Sequence, residues 1–173
     1  MPSPAVSHLT RHPRLVVLAA VVAAFASALA GGFVFDDIFE IEHNPAVRLV
    51  WPPWQAMTVG SRLPARLLPS WSFAADHAIW GDAPRGYHVA NIAIHALAAI
   101  ALYDLVRLTL ASPRLRGRSG ERPELLALAI AVIWAVHPLQ TQAVTYVYQR
   151  IESMAGMFVL LSLACFARAA AAG

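Results

Sequence analysis

The stretch Leu15–Asp37 reads LVVLAAVVAAFASALAGGFVFDD. Leu15 to Phe35 carries no charge, and its length matches the roughly 20 residues a helix needs to cross a bilayer. It ends in Gly31-Gly32-Phe33-Val34-Phe35 and runs directly into Asp36 and Asp37. Charge at a water–lipid boundary is costly and usually has a use. The arrangement predicts an acid/base site at a membrane surface, with Asp36 and Asp37 as its candidates.

The composition agrees with a membrane protein. Of 173 residues, 58% are hydrophobic and 13% charged, about half the charged fraction of a soluble domain. All 13 basic residues are arginine. They flank apolar runs and form no separate basic face, so no nucleic-acid partner is expected. The single cysteine, Cys165, allows no disulfide within one chain.

Working outward, two further stretches of bilayer length, predominantly apolar, occupy Val89–Leu110 and Met154–Ala172. A shorter one, Leu125–Val136, stops at His137-Pro138 and reads as a helix ending inside the membrane thickness, where protein or a water-filled cavity must line it. The fold class is therefore all-α and membrane-embedded, one domain over 1–173. Four spans are expected at about 15–35, 89–110, 124–136 and 152–172, with a long outer loop over 36–87. Arg11 and Arg14, then Arg107, Arg114, Arg116, Arg118 and Arg122, place the N-terminus in the cytoplasm by the positive-inside rule. Residues 26–31, Ala-Ser-Ala-Leu-Ala-Gly, also resemble a signal-peptide cleavage site, so an uncleaved first helix competes with a removed one.

In the outer loop, Leu67, Leu68, Trp71, Ala74, Ala75, Ala78 and Ile79 fall at helical spacing, with Ser70, Ser72, Asp76 and His77 off the stripe. That predicts an interfacial amphipathic helix; a shorter one is expected over Trp54–Val59. His88, Asn91 and His95 share one face of the second span and should point into the bundle. For His95 the plain role is an interhelical hydrogen bond. Asp104 is expected to snorkel or to pair with Arg107, and Arg150 to pair with Glu152 or to bind an anionic headgroup. His and Asp near the surface lack tight ligand spacing, so no metal is expected.

Three segments then carry a resemblance. Residues 33–37 read Phe-Val-Phe-Asp-Asp. Residues 86–95 read Gly-Tyr-His-Val-Ala-Asn-Ile-Ala-Ile-His. Residues 137–145 read His-Pro-Leu-Gln-Thr-Gln-Ala-Val-Thr, with Gln149-Arg150 following. In this order, over roughly 30–168, they resemble the N-terminal part of the GT-C-type membrane glycosyltransferases. The likeness is to the transmembrane and tetratricopeptide-repeat O-mannosyltransferases and their bacterial relatives. The resemblance implies transfer of a sugar from a polyprenyl-phosphate carrier to an acceptor, protein among them, at the outer face of a bacterial inner membrane. It implies no cofactor beyond that lipid-linked donor. It also implies Asp36 or Asp37 as general base, and Arg66, His88, His137 and Arg150 as contacts to carrier phosphate and sugar. The chain departs from the pattern at Arg66-Leu67, where Arg-Pro is usual. It has fewer spans than such enzymes and no tetratricopeptide period, so it reads as an incomplete module. The competing expectation is a non-catalytic membrane protein or degenerate remnant.

Overall fold

A computed structural model describes residues 11–55, 66–115 and 122–172. Among them there is no strand. Six α-helices follow one another: α1 (Pro13–Phe25), α2 (Leu67–Trp80), α3 (Pro84–Leu110), α4 (Pro123–Ala135), α5 (Gln140–Thr145) and α6 (Arg150–Ala172). A 3-10 turn, Ala26–Ala30, continues α1, and another, Val147–Gln149, precedes α6. The apolar stretches Pro13–Ala30, Pro84–Leu110 and Val147–Ala172 are each long enough to cross a membrane; α4 is the shorter apolar helix. The chain is an integral membrane protein of all-α class.

Helix ends differ from the expected spans for local reasons. The first helix stops at Ala30 rather than Phe35, because Gly31 takes an extended conformation (φ −74°, ψ 156°) and Gly31-Gly32 gives little helical support. α3 and α4 each begin on a proline, which costs no hydrogen bond in a first turn. α3 therefore takes in the polar residues Arg85, Tyr87 and His88 ahead of its apolar run. Of the short helix expected at Trp54–Val59, residues 56–59 lie outside the described residues.

Contacts divide the chain into two units. The first draws on 1–24, 95–140 and 155–173, the second on 25–94 and 141–154. In the first, Asp104 is buried and does not pair with Arg107 as expected. Its carboxylate takes Arg14 through Nε (3.3 Å) and Nη2 (3.0 Å to each oxygen), and also takes Nη2 of Arg168. A buried acid on α3 needs countercharge, and two neighbouring helices supply it. His95 makes the interhelical bond its burial requires, Nε2 to the Ala135 carbonyl at 2.8 Å, and stacks on Trp134.

The second unit is centred on Ile41, Val47, Phe73, Tyr87 and Val147, with Phe33 and Tyr148 against them. α2 sits in it with an unusual polarity. Leu67, Leu68, Trp71, Ile79 and Trp80 are exposed, while Phe73, Ala74 and Asp76 are buried. Leu67, Leu68, Trp71, Ala78 and Ile79 of the apolar stripe read from the sequence face outward, as lipid contact would require, while its Ala74 turns inward. Asp76, with Phe73 and Ala74, holds the interior.

Candidate functional site

The two adjacent acids part company. Past Gly31 the backbone reaches Phe35, whose φ is +49°. This left-handed conformation costs an L-residue roughly 1–2 kcal/mol, and the turn it makes is tied on both sides. Asp37 N–H donates to the Val34 carbonyl (3.0 Å), and Val34 N–H donates to Asp37 Oδ2 (3.1 Å). Asp37 is wholly buried, and its Oδ1 accepts from Tyr148 N–H at 2.7 Å. The carboxylate thus fastens residues 34–37 to the turn before α6. Asp36 instead is exposed. Its backbone N–H donates to the Tyr146 hydroxyl at 3.0 Å, and the Tyr146 ring meets Phe35 edge-on. One aspartate holds the turn and its neighbour is presented by it.

Burial pushes the Asp37 carboxyl above its ordinary value, and Asp36 adds to the effect; the backbone N–H donors oppose it. The folded protein therefore binds this proton more tightly than the unfolded chain does. Asp37's contribution to stability is fully present below the ordinary carboxylate value and is lost as pH rises through the folded one. Melting the solubilised chain from pH 7 down to pH 4 should show a gain on acidification that is smaller in Asp37→Asn; equal gains in both would contradict the assignment.

Beneath the turn lies Arg150, the first residue of α6 and fully buried. Its Nε donates to Asn91 Oδ1 (2.7 Å), Nη1 to Ser72 Oγ (3.2 Å) and Nη2 to the Tyr87 carbonyl (2.9 Å). Nη2 also lies 2.6 Å from Asp76 Oδ2, and the guanidinium covers the Phe73 ring at 4.6 Å. Asn91 in turn donates toward the carbonyls of Val144, Tyr146 and Val147, each at 3.3 Å. Burial pushes the Asp76 carboxyl up, and the guanidinium pulls it back down. The expected pairing of Arg150 with Glu152 is not found. Glu152 meets Arg66 at 3.6 Å on the surface instead.

His88 is buried against the Gly31 backbone, where a Cβ would lie 3.1 Å from its Nε2 and 3.0 Å from the Ala28 carbonyl oxygen. Gly31→Ala forces one of these groups to move and should cost about 1–3 kcal/mol, read as a lowered melting temperature.

Of the sequence-derived candidates, Asp36, Asp37, Arg66, His88 and Arg150 all belong to the second unit. Asp36 and Arg66 are exposed; Asp37, His88 and Arg150 are enclosed. His137 belongs to the first unit, is exposed, and accepts the Leu139 N–H at Nδ1. Sequence reasoning missed Asp76, Ser72 and Tyr146. An arginine at the head of an apolar helix calls for a buried counterion, and Asp76, off the apolar stripe of α2, was the signal available. Among the described residues no group of three or more His, Cys, Asp or Glu side chains could hold a metal ion.

Several known proteins are similar to this chain in sequence. The chain is 28% identical over 169 residues to human protein O-mannosyl-transferase TMTC4, covering 90% of this chain and 23% of that protein. The chain is similar in sequence to the TMTC proteins. Mouse protein O-mannosyl-transferase TMTC2 is 30% identical over 163 residues (88% of this chain, 18% of that protein). The Caenorhabditis elegans protein O-mannosyl-transferase F38B6.6 is 26% identical over 165 residues (86% and 22%). The chain thus spans less than a quarter of the length of these TMTC relatives. No protein-family profile matches it, and no solved structure is significantly similar.

Proposed function

We propose that the chain is the base-bearing part of a membrane glycosyltransferase. In this reading it moves a mannose-type sugar from a polyprenyl-phosphate carrier to a hydroxyl acceptor at the outer face of the membrane, the N-terminus lying in the cytoplasm. The bacterial inner membrane is the compartment proposed. The observation that carries the reading is the exposed Asp36 carboxylate on a turn fixed by its buried neighbour; the names of the relatives supply the sugar.

The chemistry follows from that placement. Asp36 takes the proton from the acceptor hydroxyl as its oxygen bonds to the anomeric carbon. The bond between that carbon and the carrier phosphate breaks, and the phosphate leaves with the electron pair. Arg66, half-exposed beside Glu152, is assigned in this reading to meet the developing phosphate charge. Arg150, with all three of its nitrogens engaged, acts through Asn91 on the segment whose Tyr148 N–H meets Asp37, and enclosed His88 packs against Gly31. The direct test is transfer of labelled mannose from polyprenyl-phosphate-mannose into protein, using membranes that contain the chain in its natural sequence context. Transfer above the level of membranes lacking the protein supports the reading; equal levels overturn it.

A further inference from the structure

Asp36 is exposed, and among the described residues no salt bridge restrains its carboxylate. Left to itself, an exposed aspartate samples its staggered χ1 rotamers, whereas a base must meet its proton within hydrogen-bond reach. One side chain is in place to narrow that choice. The Tyr146 hydroxyl oxygen accepts the Asp36 backbone N–H at 3.0 Å. The carboxylate carbon is three bonds from that nitrogen, so the same oxygen is within reach of the side chain. A phenol that accepts one hydrogen bond still has its O–H to give, and here the phenol engages the Asp36 side chain as well as its backbone.

Tyr146 is itself held from two directions. Its ring meets Phe35 edge-on, with 6.3 Å between centroids, against the residue whose left-handed backbone makes the turn. Its carbonyl accepts from Asn91 Nδ2 at 3.3 Å, and Asn91 is anchored by Arg150. All of these residues belong to the second unit. Burial, and after it the Asp36 and Asp37 carboxylates, hold the phenol above its ordinary value, against the opposing Asp36 N–H. The hydroxyl therefore keeps its proton at neutral pH. We propose that Tyr146 is a positioning residue for Asp36: its hydroxyl takes the Asp36 backbone N–H and donates to one oxygen of the Asp36 carboxylate, leaving the other oxygen free for the acceptor's proton. The positioning role rests on the reading of Asp36 as base; the contact between the two side chains does not.

The contact is tested without any transfer assay. The solubilised full chain is labelled with 3-fluorotyrosine, and the Tyr146 resonance is the fluorine signal lost in Tyr146→Phe. In Asp36→Asn this phenol should ionise at lower pH than in the unsubstituted chain, because the neighbouring negative charge is gone; an unmoved titration overturns the inference. The positioning role is tested by mannose transfer in membranes. Tyr146→Phe keeps the ring on Phe35 and removes the hydroxyl. It should lower kcat about tenfold, the worth of one hydrogen bond to a charged group, with the acceptor KM and the melting temperature unchanged. Full kcat, or a loss that only tracks the melting temperature, overturns the role. Membranes with the unsubstituted chain that transfer nothing would remove Asp36 as base, while a lowered fluorine titration in Asp36→Asn would still uphold the contact with Tyr146.

Discussion

Asp36→Asn is expected to lower sugar transfer by about 10²–10⁴-fold while leaving the melting temperature of the chain unchanged. The substitution keeps the size of the side chain and removes its basicity, and general-base catalysis contributes a factor of that order. The side chain is exposed, and the turn is held by the Asp36 backbone N–H and by Asp37, so the fold has no reason to respond. Asp37→Asn should behave differently. An amide cannot accept from both Val34 and Tyr148 as the carboxylate does, so a buried N–H loses its partner at about 1–3 kcal/mol. Transfer should then fall together with stability. If Asp36→Asn retains full transfer and Asp37→Asn loses it with an unchanged melting temperature, the roles given to the two residues are reversed.

Arg150→Met should produce the largest loss of stability, about 3–5 kcal/mol, the usual result of removing one partner from a buried ion pair. Asp76 would keep a buried charge without its cation, and Asn91, Ser72 and Tyr87 would each lose a donor. Against the 5–15 kcal/mol of a typical domain, that is enough to unfold the second unit in part. Replacing both members, Arg150→Met with Asp76→Leu, should recover a large share of the loss, because the uncompensated charge goes too. Thermal unfolding of the solubilised chain, followed by tryptophan fluorescence, separates the outcomes. A double variant as unstable as the single one would show that the hydrogen bonds to Asn91 and Tyr87 matter more than the charge pair.

The helices were legible from the sequence because apolar runs of bilayer length admit few alternatives. Their ends were less so: proline at the start of α3 and the glycine pair after Ala30 shift boundaries by several residues. The doublet at 36–37 was visible as a candidate. The division of labour within it was not, since that depends on which carboxylate finds the N–H of Tyr148, more than a hundred residues away. The partners of Arg150 and Asp104 were hidden for the same reason. A charged side chain in an apolar span announces that it needs a counterion, but local spacing favoured Glu152 and Arg107, whereas the fold supplies Asp76 for one and Arg14 with Arg168 for the other.

The reversed polarity of α2 bears on where the chemistry sits. A helix that turns Asp76 inward and leucine, isoleucine and tryptophan outward is at rest only where an apolar medium meets that outer side. The acyl region of the bilayer is such a medium, and it sets the depth at which α2 settles. Through the clasp of Asp76 on Arg150, and of the adjoining turn on Asp37, the height of Asp36 above the hydrocarbon follows that depth. Membranes of different thickness would, on that account, raise or lower the Asp36 carboxylate against the plane of lipid phosphates.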